Sequence, residues 1–203
     1  EMGIFSRFTK KDSTHLIQPA SFLNPHSTLG ELDLYLIAEG RHEQLWKALG
    51  AHVRRDDSNE LLGVAFSVWA PNAQAVSLIG DHNFWDKNTH HMIRIGSSGI
   101  WEIFIPDIGV GTRYKFAICG IDGRWVDHAD PMSRATEIPP LTASIVEEST
   151  YVWSDSEWIN KRTKFESWRS PVSVYEVHLG SWKLGLSYRE LAIELVEYVR
   201  AQG

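Results

Sequence analysis

The sequence predicts a mainly β chain: a small β-sandwich followed by a single β-α unit. Three observations carry that reading. Between residues 61 and 147 apolar side chains recur with period two, as in Val64, Phe66, Val68 and again in Tyr114, Phe116, Ile118. Clusters of Gly, Pro, Asn, Asp and Ser cut this stretch into short runs. Beyond residue 172 the pattern changes to one apolar run, a loop and a capped segment with helical spacing.

Taken in order, residues 1–30 are mixed and polar, with Pro19 and Pro25 and no sustained period. They read as a tail or as the frayed end of something upstream. Leu32–Ile37 is short and apolar and fits either a strand or a helix. Arg41–Leu49 places Leu45, Trp46 and Leu49 on one helical face, and Gly50 stops it. The expected strands are Gly63–Trp69, Ala75–Gly80, Met92–Ile95, Ile100–Ile105, Arg113–Cys119, Arg124–Val126 and Ser144–Glu147. Pro71-Asn72, Ser97-Ser98-Gly99 and Gly109-Val110-Gly111 supply turns, and Asp122-Gly123 predicts a two-residue hairpin of the primed type. Short strands at this spacing make a small sandwich.

Residues 127–170 have a linker's composition, with Pro131, Pro139 and Pro140, and a short helix opened by the capping-box pattern Ser154-Asp155-Ser156-Glu157. Ser173–Val177 reads as a buried strand and Leu179–Leu186 as a loop. A helix follows from Ser187, where Ser187 and Glu190 form a second capping box and Leu191, Leu195, Val196 and Val199 share a face. One βα unit cannot cover both faces of its strand, so it is expected to be the first step of a repeating α/β architecture.

Composition narrows function. With 43% apolar and 23% charged residues, the 203-residue chain has the makeup of a folded protein. No apolar run approaches the ~20 residues of a membrane span, and the start lacks the order of a signal peptide. The single Cys119 suits a reducing compartment, so a cytoplasmic location away from membranes is expected. A net charge of −6 without a basic block disfavours nucleic acid as a partner. Nine tryptophans are the unusual feature, because flat indoles are platforms for neutral, flat-faced ligands such as sugar rings.

Among carboxylates, Asp81 and Asp86, and likewise Asp127 and Asp130, sit beside Asn, Pro or Gly, where Asp makes local turn bonds. Glu176 lies in a run built for burial, beside His178, and fits a site-lining role or a structural ion pair. His90 and His91 are adjacent and would point to opposite faces of a strand, and no Cys/His spacing fits zinc; no metal and no cofactor are expected. Cys119 has no basic neighbour to activate it. Phosphate loops, dinucleotide fingerprints and nucleophile elbows are absent from the sequence. Trp69 and Trp101 alternate with apolar neighbours and read as core. Trp85, in Gly80-Asp-His-Asn-Phe-Trp-Asp86, and Trp125, after Asp122-Gly123, are either lids on the core or exposed stacking surfaces.

Phe66-Ser-Val-Trp-Ala-Pro-Asn72 and Val76-Ser-Leu-Ile-Gly-Asp-His-Asn-Phe-Trp-Asp86 resemble the family 48 carbohydrate-binding modules, as do Tyr114-Lys-Phe116, Asp122-Gly-Arg-Trp125 and Ala129-Asp-Pro-Met132. Val174-Tyr-Glu-Val-His-Leu-Gly-Ser-Trp182 and Leu186-Ser-Tyr-Arg-Glu-Leu191 resemble the first barrel strand and helix of bacterial 1,4-α-glucan branching enzymes, relatives of family 13 glycoside hydrolases. Leu32-Asp-Leu-Tyr-Leu-Ile-Ala-Glu-Gly-Arg-His42 resembles the lead-in to their module.

The resemblance implies an immunoglobulin-like β-sandwich carbohydrate-binding module followed by the start of a (β/α)₈ barrel. The expected divisions are an amino-terminal segment with helical lead-in at 1–52, the module at 53–150, a linker with a short helix at 151–170 and the barrel start at 171–203. It also implies an α-1,4-glucan partner, held by Trp85 and Trp125 as stacking platforms and by Lys115 as a donor to hydroxyls. The family reaction cuts an α-1,4 glucan and re-attaches the segment as an α-1,6 branch. Its catalytic motifs lie beyond the fourth barrel strand, and a barrel needs ~250 residues, so no catalytic residue is expected here. The chain is expected to be an inactive amino-terminal portion, completed by the rest of the barrel or by a second chain. The alternative is a packing module without sugar affinity, in this enzyme or in a debranching or trehalose-forming relative. His82 and Phe84 stand where the family loop usually has Phe and Gly, so a reshaped loop is expected.

Overall fold

Period-two runs become sheets when each strand finds neighbours for its backbone, and residues 50–145 do so twice. In the computed structural model, which describes residues 24–164 and 169–202, the chain divides into two units between Thr150 and Tyr151. Expectations attached to residues 1–23 lie outside the described residues.

The first unit holds two antiparallel sheets. One has the order β1 (Gly50–Arg55), β2 (Leu61–Trp69), β5 (Ile100–Pro106), β4 (Ile93–Arg94). The other runs β3 (Ala75–Gly80), β6 (Arg113–Cys119), β9 (Ser144–Ile145), β8 (Ala135–Thr136), with β7 (Trp125–His128) also paired to β6. Val64, Phe66 and Val68 from the first sheet meet Val76, Leu78, Tyr114 and Phe116 from the second in one core. The Phe66 and Tyr114 rings pack edge to face at 4.9 Å between centroids.

At the bottom of this core the Tyr114 hydroxyl donates to Asp130 Oδ2 at 2.5 Å, and Asp130 Oδ1 accepts from the Met132 amide at 2.7 Å. Burial pushes the Asp130 carboxyl up and, with Asp130 beside it, pushes the Tyr114 hydroxyl far up, so the proton stays on the phenol. Asp130 is therefore structural, as its turn context suggested.

Helix α1 (Glu31–Ala38) settles the ambiguous apolar run. Leu34 and Ile37 both pack on a second cluster with Leu29, Leu49 and Ile100. A spacing of three puts them on one helical face, whereas a strand would have sent them to opposite sides.

Several expectations are corrected. The helix expected over 41–49 is confined to α2 (Leu45–Ala48), and the unforeseen strand β1 begins at Gly50. Trp101 is core, its Nε1 donating to the Ala70 carbonyl at 3.0 Å. Trp69, however, is 57% exposed, because period two places it on the face opposite Val68. The Asp122-Gly123 hairpin is not of the two-residue kind. Gly123 donates to the Gly120 carbonyl at 3.0 Å and is itself left-handed at φ 75°, a longer loop that ends on a glycine bulge.

The second unit contains α3 (Ser156–Arg162), α4 (Leu179–Trp182) and α5 (Tyr188–Ala201). Its α5 cap forms as read: the Glu190 amide donates to Ser187 Oγ, and Glu190 Oε2 accepts from the Ser187 amide at 2.8 Å. At α3 the N-cap is Asp155, and no side chain caps it. Residues 173–177 form no ladder among the described residues, and Val174 is 86% exposed. A strand needs a neighbour to take its N–H and C=O groups, and none of the described segments supplies one. Glu176 is consequently exposed rather than buried. The expected loop after it contains the helical turn α4, where Trp182 Nε1 donates to the Tyr175 hydroxyl at 3.1 Å. No helix among the described residues is long and apolar enough to cross a membrane.

Candidate functional site

The outer face of the second sheet is set by register. Ile79 lies opposite Lys115, Ala117 opposite Asp127, and Cys119 opposite Trp125. Since Tyr114 and Phe116 point into the core, Ile79, Lys115, Trp125 and Asp127 all belong to the face turned away from it.

A loop folds over this face from the end of β3. Gly80 permits the turn because a Cβ there would stand 2.3 Å from the Arg113 carbonyl. Asn83, buried, staples the loop: its Oδ1 accepts from the Gly80 amide and its Nδ2 faces the carbonyls of Leu78 and Asp86, each at 3.0 Å. Asp81 forks onto Arg113 through two bonds of 2.9 Å, and the guanidinium holds its carboxyl below the ordinary range. Asp86 Oδ1 accepts from the Asn88 amide at 2.9 Å. Asp86 thus makes the local turn bond expected of it, whereas Asp81 is committed to a residue 32 positions away rather than to its own turn.

Phe84 and Trp85 then adopt left-handed backbone, at φ 54° and 63°. For residues with a Cβ this costs roughly 1–2 kcal/mol each. Phe84 recovers nothing through burial, being 94% exposed. With no glycine at position 84, the left-handed turn is held at the cost of strain. His82 tucks under the loop with both ring nitrogens buried and unpartnered among the described residues. Burial, and then the neighbouring His90 ring at 5.0 Å, lower its pKa to about 4, so it is neutral at pH 7.

Between the loop and β7 lies a groove of about 590 Å³. Trp85, Lys87 and Asn88 line it from the loop, Trp125 and Asp127 from β7, and Ile79 from β3. The structure thereby brings Trp85 and Trp125 together. Lys87 Nζ sits 5.7 Å from the centre of the Trp125 ring, a cation–π contact over one indole face. Lys115 is not among the lining residues; its ammonium donates to Thr142 Oγ1 at 2.7 Å.

Sequence reasoning passed over Lys87 and Asn88 and assigned Asp127 to local turn bonding. Asp127 stands in β7 rather than in a turn, two residues beyond Trp125 and hence on the same face. That spacing was the available signal for it. Lys87 and Asn88 lie in an irregular loop, where no period points to a face.

Residues 48–133, which include every groove residue, match the profile of carbohydrate-binding module 48, described as the isoamylase N-terminal domain. Over 178 residues, 87% of this chain, the sequence is 57% identical to a 1,4-alpha-glucan branching enzyme GlgB of Nocardia farcinica, of which it covers 24%. A second GlgB, from Corynebacterium efficiens, is 56% identical over 178 residues with the same coverage of both chains. Among solved structures, the maltotriose complex of a PulA variant from Klebsiella pneumoniae is 25% identical, with a TM-score of 0.41 over 50% of this chain and 11% of that one. The chain spans about a quarter of the length of the curated relatives it matches. By sequence it carries a family 48 carbohydrate-binding module over residues 48–133 and corresponds, over most of its length, to the N-terminal region of GlgB branching enzymes.

Proposed function

We propose that the Trp85–Trp125 groove binds α-1,4-glucan and docks it for a cytoplasmic branching enzyme, in which the rest of the polypeptide transfers α-1,4 segments to α-1,6 positions. The observation that carries this reading is the convergence of two partly exposed indoles on one groove of about 590 Å³ within the module. Pyranose rings have a flat C–H face that packs on an indole, and a rim of hydroxyls that needs donors and acceptors. Lys87, Asn88 and Asp127 supply that polar rim. Lys87 must leave the covered face of Trp125, or a sugar must use the other. Lys115 joins only if it releases Thr142.

The divisions at 1–52, 53–150, 151–170 and 171–203 belong to the same proposal, with the last as the start of a barrel. The exposure of Val174 and Ile193 fits a surface meant for the remaining barrel or for a second chain. Affinity should be modest, since a few contacts must offset the ordering of a flexible glucan.

Titration with maltoheptaose, followed by tryptophan fluorescence and calorimetry, tests the site. Saturable binding is expected, preferred over cellohexaose and lost in the Trp85→Ala, Trp125→Ala pair. Undiminished binding in that variant, with circular dichroism showing the native sandwich, would move the site elsewhere. No binding by the unaltered chain would leave the module a packing element only. Purified 1–203 is expected to form no α-1,6 branches on amylose, which a branching assay checks.

A further inference from the structure

The sandwich has an open side between β1, the outer strand of the first sheet, and the segment that follows β9 in the second. A slot of about 490 Å³ lies there. His52 and Arg54 reach it from β1, Arg134 and Glu147 from the second sheet's margin, and Lys47 from α2.

Its charge is opposite to that of the chain. Among the described residues Lys47, Arg54 and Arg134 have no acidic partner within ion-pair distance. Glu148 also borders the slot, but its carboxylate is held by Arg55 at 3.0 Å. Three cations therefore face one uncommitted carboxylate, Glu147, in a chain of net charge −6. His52 registers the field. Its Nε2 is bonded to the Leu49 carbonyl at 2.9 Å, and burial together with the charges of Arg134 and Arg54 lowers its pKa.

We propose that this slot binds a phosphomonoester of a polyhydroxy compound, with the phosphate between Arg54 and Arg134 and a hydroxyl on Glu147. Guanidinium forks match phosphate oxygens in pairs, which gives geometry as well as charge. Glu147 disfavours a bare polyanion and accepts a hydroxyl, so the slot selects a ligand with one charged end and one neutral end. The volume is in the range of small-molecule sites, about 300–1,000 Å³. A neutral glucan offers the three cations hydroxyl acceptors but no opposing charge, so this chemistry differs from that of the tryptophan groove.

The test uses the 203-residue chain and glucose 6-phosphate, with inorganic phosphate and maltoheptaose as comparators, read by calorimetry and by the NMR titration of the His52 ring. Saturable binding of glucose 6-phosphate is expected, with His52 titrating at higher pH in the complex because a dianion offsets Arg54 and Arg134. Arg54→Gln with Arg134→Gln should weaken binding at least about tenfold, the loss of a charge-assisted pair. Glu147→Gln should also weaken the ester relative to inorganic phosphate, a change of preference that a misfolded variant would not show. Absence of saturable binding, or unchanged affinity in the folded double variant, would overturn the site. Equal affinity for inorganic phosphate, or displacement by maltoheptaose, would overturn the ester assignment.

Discussion

The sandwich and the unit from Tyr151 onward carry equally clear sequence patterns and end in different states. In the first, Val64, Leu78 and Phe116 are fully buried, sharing one core built by strands distant in sequence. In the second, Leu191 is the one buried member of the α5 stripe, while Val196 and Val199 remain exposed and residues 173–177 form no ladder with any described strand. The difference teaches that pattern supplies an element, whereas burial requires a partner. A helix satisfies its own backbone and forms in either setting; a strand does not.

Truncating a core ring should break the comparison most sharply. Phe66→Ala removes a side chain packed on Tyr114 and is expected to destabilise the sandwich by about 3–5 kcal/mol in urea denaturation. A loss near zero would mean that the core is looser than its burial implies.

Acid should act on the sandwich through His82. Unfolded, the imidazole titrates near 6.5, and folded it titrates at about 4. Between those values the unfolded chain binds more protons, so this contribution is complete above pH 6.5 and is lost as pH falls toward 4. His82→Phe should flatten that part of the stability–pH curve, and an unchanged curve would remove His82 as the cause. Asp130, raised by burial, acts with the opposite sign in acid, so the difference between the two proteins is the quantity to measure.

In the second unit the largest local effect should come from the α5 cap. Ser187→Ala is expected to cost about 1 kcal/mol of α5 stability, read as faster amide exchange in its first turn. Smallest of all, Ile193→Ala removes a side chain that is 65% exposed and should shift stability by less than about 0.5 kcal/mol. A larger loss would show that this face is covered in solution, which would sharpen the case for a second chain.

What the sequence determined by itself depends on near neighbours along the chain, although two local readings, the two-residue turn at Asp122-Gly123 and the side-chain cap of α3, did not form. The alternations at 61–69, 75–80 and 113–119, and the Ser187 cap, are local, because a strand's period and a helix's first turn involve only a few adjacent residues. The blocks around Trp85 and Trp125 sufficed for the family on the same footing. Tertiary structure decided which side chains share a groove. Trp85 and Trp125 meet because β3 and β7 flank β6, an order that no local period encodes. The same pairing left Lys115 on Thr142 and put Lys87 over Trp125. In the other sheet, Trp69 faces outward while Trp101, paired with Val68, lies in the core. Alternation specifies that successive side chains take opposite faces; only the second sheet, by covering one of them, determines which face is the inside.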